Sequence, residues 1–152
     1  MVDKEKDGYY MDLALAEAHK ASENRDIPVG CVIVRDDVII GSGFNCRERD
    51  SDPTGHAEII ALRDAGSRLG NWRLANCTLY VTLEPCPMCM SAIMQARIAR
   101  LVYGASDETL GAAKSAFDIG LNPAFGHKIR ITSGVLQDKC SNLYRDFFEN
   151  LR

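Results

Sequence analysis

Apolar residues at Met11, Ala14, Leu15 and Ala18 recur at helical spacing ahead of Asp26-Ile27-Pro28, so the chain opens on an amphipathic helix of about four turns that covers one face of a sheet. The pattern then changes. Val29 to Val34 is a near-continuous apolar run, which predicts a strand buried on both faces, and Arg35-Asp36-Asp37 reads as the turn into Val38-Ile39-Ile40-Gly41, completing a hairpin. Asp52-Pro53-Thr54-Gly55 stops the chain. Ile59, Ile60, Leu62 and Ala65 mark a second helix that closes between Gly66 and Gly70, with His56 at its start. Thr78 to Thr82 is a short strand, Pro87 to Ala96 a helix carrying Met88, Ile93 and Met94, and Leu101-Val102-Tyr103 the next strand. That order predicts a right-handed parallel crossover. After Gly111-Ala112-Ala113, Ile129 and Ile131 alternate with Lys128 and Arg130 as an outer strand. Cys140, Leu143, Tyr144, Phe147, Phe148 and Leu151 stripe a closing helix. With no internal repeat, linker or low-complexity segment, the pattern predicts one α/β layer domain over residues 1–152, with about five strands.

Composition narrows the class without naming a function. At 46% hydrophobic and 26% charged the chain is an ordinary globular sequence. No run approaches the roughly 18 apolar residues of a membrane span. The N-terminus, Met1 to Asp7, carries both charge signs with no apolar segment behind it, so no secretory signal and a cytoplasmic location are expected. A net charge of −3 excludes a polycation that grips nucleic acid by bulk charge, although Arg47, Arg49, Arg97, Arg100, Lys114, Lys128 and Arg130 are enough for a local patch. In a reducing compartment the six cysteines read first as small buried apolar residues and second as metal ligands or nucleophiles. Cys31, Cys77 and Cys140 fit the first reading.

The informative constellation is His56-Ala57-Glu58, then 26 residues, then Pro85-Cys86-Pro87-Met88-Cys89. An imidazole and two thiols suit zinc. Cys86 and Cys89 open a helix, where both sulfurs can face one side and unpaired N–H groups favour thiolate. His56 opens the other helix, so all three can meet at one ion. Three protein ligands leave a position open, and the remaining Cys46, Cys77, Cys140, His19 and His127 form no second pair that would close it. Glu58 separates a catalytic from a structural reading: at the helix's N-terminal end it can move protons without ligating the metal, whereas a solvated helix glutamate would do nothing. Together these residues form the zinc-deaminase signature.

On these residues the chain resembles the cytidine-deaminase superfamily, and within it the bacterial tRNA adenosine deaminases. Pro28-Val29-Gly30, Asn45, Asp52-Pro53-Thr54, Thr78 to Cys86, Tyr103-Gly104-Ala105, Gly111-Ala112-Ala113 and Phe147-Phe148 extend the likeness over about Tyr10 to Arg152. The resemblance implies a three-layer α/β/α fold whose central mixed sheet is flanked by helices. It implies one zinc ion per subunit on His56, Cys86 and Cys89, with hydroxide attacking C6 of a wobble adenosine to give inosine and Glu58 as proton shuttle. Asn45 resembles the family's polar contact to the flipped base and ribose, Val29 its apolar wall, and Asp107 an acidic residue approaching the target nucleotide's backbone. Read on their own, Asn45 is a turn residue and Asp107 an ordinary loop aspartate. The implied partners are a tRNA anticodon stem-loop and a second copy of the chain, with no DNA and no membrane; Met88, Met90, Ile93 and Met94 are either dimer contacts or core. Pro87 and the acidic balance also suit deaminases of a free nucleobase or nucleoside such as guanine, which stands as the alternative.

Overall fold

The computed structural model describes residues 3–151. Its centre is a mixed five-stranded sheet in the order β2-β1-β3-β4-β5. α1 (Lys4–Glu23) begins at Asp3, whose carboxylate accepts the N–H groups of Glu5 and Lys6 and so satisfies two first-turn donors. The helix runs 20 residues, longer than its apolar stripe predicts. Its extra turn is held by a polar residue: buried Asp7 accepts from Arg100 at 2.9 and 2.6 Å and from the Tyr80 hydroxyl at 2.9 Å. A hydropathy pattern reads Asp7 as a solvent position, so the turn it anchors leaves no apolar trace.

β1 (Gly30–Arg35) buries Cys31 and Ile33 on one side and Val32 and Val34 on the other. Arg35 pairs with Val38, which leaves Asp36 and Asp37 alone in the turn to β2 (Val38–Phe44). Both adopt positive φ, 51° and 62°, as a tight two-residue hairpin requires. β2 continues past its expected end at Gly41 because its glycines make room rather than break the strand. A Cβ at Gly41 would lie 2.6 Å from the Ala61 carbonyl oxygen, and one at Gly43 2.6 Å from that of Ala57. α3 (Ala57–Leu69) therefore packs on the β2 backbone through Ala57, Ala61 and Ala65, and ends at Gly70 in the left-handed region. The single turn α2 (Arg47–Asp50) between them was not foreseen.

β1 is also antiparallel to β3 (Thr78–Leu83), which runs parallel to β4 (Arg100–Ala105) with α4 (Pro87–Gln95) as crossover; β5 (Arg130–Thr132) is the parallel edge. α5 (Gln137–Asn150) returns to the α1 face. The C-terminal part of its expected stripe lies at the surface, Phe148 being 37% and Leu151 65% exposed. Two cores result: α3 and α4 against Cys31, Leu79, Val81 and Leu101, and α1 and α5 against Val32, Tyr80 and Val102. The layers are thus helix, sheet, helix, as expected. Met90, Ile93 and Met94 are fully buried in the first core, which removes them as dimer contacts; Met88 is half-buried. Cys31, Cys77 and Cys140 are buried as expected, and all six cysteines are free. Among the described residues no helix is long and apolar enough to cross a membrane.

The contact between α3 and β2 gives a first expected result. Gly43→Ala places a methyl group against helix backbone that has no side chain to swing away, so it costs about 1–3 kcal/mol and lowers the melting temperature by about 2–12 °C for a chain of this size. Gly8→Ala, inside α1 with nothing within 4 Å of the new atom, gains about 0.5–1 kcal/mol. Calorimetry of the two variants measures the contrast; a Gly43→Ala protein as stable as the parent would contradict the close approach.

Candidate active site

β2 and β3 are both antiparallel to the strand between them, so they run in one direction and the helices that follow them begin at the same edge of the sheet. His56 is the N-cap of α3 and Cys86 that of α4, each with extended backbone and neither capping its own helix through its side chain. Pro87 at the first helical position of α4 supplies a preset φ where no N–H is needed. The side chains of the two caps point across to each other. His56 Nδ1 lies 3.6 Å from Cys86 Sγ and 3.4 Å from Cys89 Sγ, and the three ligand atoms all fall within 4.8 Å of one another. Ligands about 2.3 Å (sulfur) and 2.0–2.1 Å (nitrogen) from a tetrahedral zinc ion would be about 3.6 Å apart. The donor set and its spacing therefore fit zinc with one position left over.

Electrostatics at the cluster favour a bound cation. The Cys89 thiol beside it holds Cys86 down at about 4, as a thiolate. The hydrogen bond to Cys86 raises His56, and the Cys86 sulfur and burial push Cys89 far up. A cation binding both sulfurs displaces the remaining proton, and the N-terminal N–H groups of the two helices favour the thiolate forms that such a cation binds. Glu58, in the first turn of α3, is 4% exposed. Burial pushes its carboxyl up to about 7. It is not the solvated helix glutamate of the bland alternative.

A cavity of about 120 Å³ opens above the cluster. Val29, Asn45, His56, Glu58, Cys86 and Asp107 line it, so six of the seven positions singled out in the sequence meet there, and the seventh, Cys89, is fully buried beside His56. Asn45 combines its two readings: its Oδ1 accepts the Ala57 N–H at 2.9 Å, pinning the start of α3, while the side chain still faces the cavity. Asp107 does the same, its Oδ1 accepting the N–H groups of Thr109 and Leu110 in a local turn.

Sequence reasoning missed Ile27, Leu83, Glu84, Leu110 and Tyr144 as lining residues. Tyr144 carried the only usable signal, and periodicity assigned it to a core stripe. The basic patch is smaller than the count of cations implied. Arg100 is engaged by Asp7, and Arg49 by Asp50 at 2.9 Å and by the Phe44 ring at 5.3 Å, whereas Arg47 lines the cavity. Pro87 lies outside the lining and starts α4. A larger hollow of about 1020 Å³ between α3 and α4, with Leu62, Trp72, Ala92 and Ala96 in its walls, holds none of these groups.

The family model for the cytidine and deoxycytidylate deaminase zinc-binding region matches residues 4–105, which include all three clustered ligands. A tRNA-specific adenosine deaminase of Haemophilus influenzae is 49% identical over 99% of this chain and 88% of that protein. One of Streptococcus pyogenes is 43% identical over 97% of this chain and 93% of that protein. A solved structure from a study of A-to-I editing by tRNA:A34 deaminases superposes with a TM-score of 0.86 at 41% identity, covering 89% of this chain and 98% of the other. A structure in complex with 2,6-diaminopurine gives 0.77 at 26% identity, over 93% of this chain and 80% of the other. The chain belongs to the zinc-binding cytidine and deoxycytidylate deaminase family, within its branch of tRNA-specific adenosine deaminases.

Proposed function

We propose that this chain, acting as one deaminase domain, hydrolyses the 6-amino group of the wobble adenosine in a tRNA anticodon loop, adding water, releasing ammonia and leaving inosine. The observation that carries the reading is a buried carboxyl, Glu58, in the same small cavity as a three-ligand cluster that fits zinc. His56, Cys86 and Cys89 would hold the ion. Zinc, when bound there, supplies a Lewis acid that makes hydroxide available at a pH of about 7. Glu58 moves two protons in turn: one from the attacking water to the ring nitrogen next to the reacting carbon, where it stays in inosine, and a second from the added oxygen to the departing amine. A carboxyl raised by burial suits both the giving and the taking of protons.

The cavity is well below the roughly 300–1,000 Å³ of drug-sized sites, which suits one flipped base with its sugar and neighbours outside. Val29 and Ile27 form its apolar wall, Asn45 offers its amide to the base and ribose, and Asp107 faces the target nucleotide's backbone. An anticodon loop supplies such a base at lower cost than a duplex. A homodimer in the cytoplasm is the proposed assembly, with the exposed Trp72 and the apolar hollow beside it as surface for a second copy to cover.

The zinc-loaded protein, incubated separately with an anticodon stem-loop carrying a wobble adenosine and with free guanine, adenosine and cytidine, should yield inosine in the stem-loop and no ammonia from the free compounds. Ammonia from guanine with the stem-loop untouched would replace this reading with the free-base alternative.

A further inference from the structure

Two residues of the cavity wall, Asp107 and Leu110, come from a segment with no regular structure. Between β4 and the short helical turn at Ile119, residues 106–118 form only turns, yet Gly111, Ala112 and Ala113 within it are buried. Buried backbone N–H groups need partners. Glu84 provides them. Its Oε1 accepts the Asp107 N–H at 3.1 Å and the Ser115 hydroxyl, and its Oε2 accepts the consecutive N–H groups of Ala113, Lys114 and Ser115 at 3.1, 3.0 and 3.0 Å. Three successive amides converging on one oxygen make an anion-binding concavity, occupied here by the chain's own carboxylate. The fit leaves no slack: a Cβ at Gly111 would lie 2.5 Å from that carboxyl group.

We infer that Glu84 is a positioning residue for the reaction. It touches no reacting atom, since both of its oxygens are engaged by the segment. What it fixes is the part of the wall that carries Asp107 and Leu110 into the cavity. Glu84 follows β3 directly and precedes Pro85-Cys86, so one short stretch of chain both delivers a cluster ligand and anchors the segment that carries Asp107 and Leu110. The separation between cluster and wall is then independent of the long loop's own conformational preferences. The kinetic part of this inference rests on the proposed deamination of a tRNA adenosine; the structural part does not.

The test compares zinc-loaded wild type with Glu84→Gln and with Ser115→Ala, which removes one of the donors and leaves the amides bound. Glutamine keeps the shape but turns an NH2 group toward N–H donors. Hydrogen exchange without substrate should speed up at Asp107 and at Ala113 to Ser115 by at least about tenfold in Glu84→Gln. KM for the stem-loop should rise about tenfold, with zinc content and kcat retained, because a displaced wall weakens ground and transition state alike. Ser115→Ala should move the same quantities in the same direction by less, and it keeps the test open should Glu84→Gln fail to fold. Unchanged exchange overturns the inference, and so does faster exchange with KM unmoved, or loss of zinc and kcat without a change in KM. A wild type inactive on the stem-loop but showing the exchange difference would remove the proposed substrate and leave the anchoring role standing.

Discussion

Glu58→Gln is expected to bind zinc as tightly as the parent, to melt no lower, and to lose deamination by about 10²–10⁴-fold, the usual contribution of a positioned acid–base group. The retained metal follows from geometry: the clustered ligand atoms belong to His56, Cys86 and Cys89, and Glu58 faces the same cavity without being one of them. The retained stability follows from burial. A carboxyl pushed up to about 7 is one that its surroundings disfavour in the charged form, so an amide of the same shape relieves a penalty. Such a side chain is maintained against stability, which is common where function requires it. Zinc content by atomic absorption, melting by calorimetry and single-turnover inosine formation separate the cases. Loss of zinc in Glu58→Gln would make the carboxylate a ligand, and full activity would remove it from proton transfer.

The metal cluster was legible in the sequence because its logic is local: ligands at helix starts, three residues apart in one case and at a cap in the other, need only two helices to begin at one edge of the sheet. Strand direction settles that, and the apolar runs announce the strands. Other parts were hidden because the residues do work that hydropathy does not encode. Gly41 and Gly43 look like a strand's end and are the reason α3 sits close enough to aim His56. Asp7 looks like surface and clamps α1 to the sheet through Arg100. Glu84 looks like one more charge before a proline, while its partners lie up to 31 residues away in a stretch without periodicity. Asp26 is similar: buried, it accepts the N–H groups of Glu48 and Arg49 and so holds the turn beside Arg47. Polar side chains that satisfy distant backbone define both flanks of the cavity, and spacing along the chain carries no mark of such bonds.

His56→Ala or Cys86→Ser should lose metal binding and, with it, activity by at least about 10³-fold, since the ion is asked for several kcal/mol of barrier lowering. What happens to the fold distinguishes this site from a structural zinc site, whose removal unfolds the domain. Here both helices that carry ligands are anchored independently of the ion, α3 by Ala57, Ala61 and Ala65 and α4 by Met90, Ile93 and Met94, in a core continuous with the sheet. Burying Met90, Ile93 and Met94 contributes about 1.5–3 kcal/mol each and each alanine methyl about 0.8 kcal/mol, none of it dependent on the ion. The metal-free protein is therefore expected to stay folded. Zinc at a thousand times its dissociation constant still adds about 4.1 kcal/mol to the native state by mass action, or about 8–16 °C in melting temperature. Wild type stripped by a chelator should melt lower by that amount and recover when zinc is returned. The two variants should melt near the stripped wild type and gain nothing from added zinc. A stripped wild type that unfolds would mean that the cluster holds the helices rather than the helices the cluster, and the open coordination position would lose its catalytic meaning.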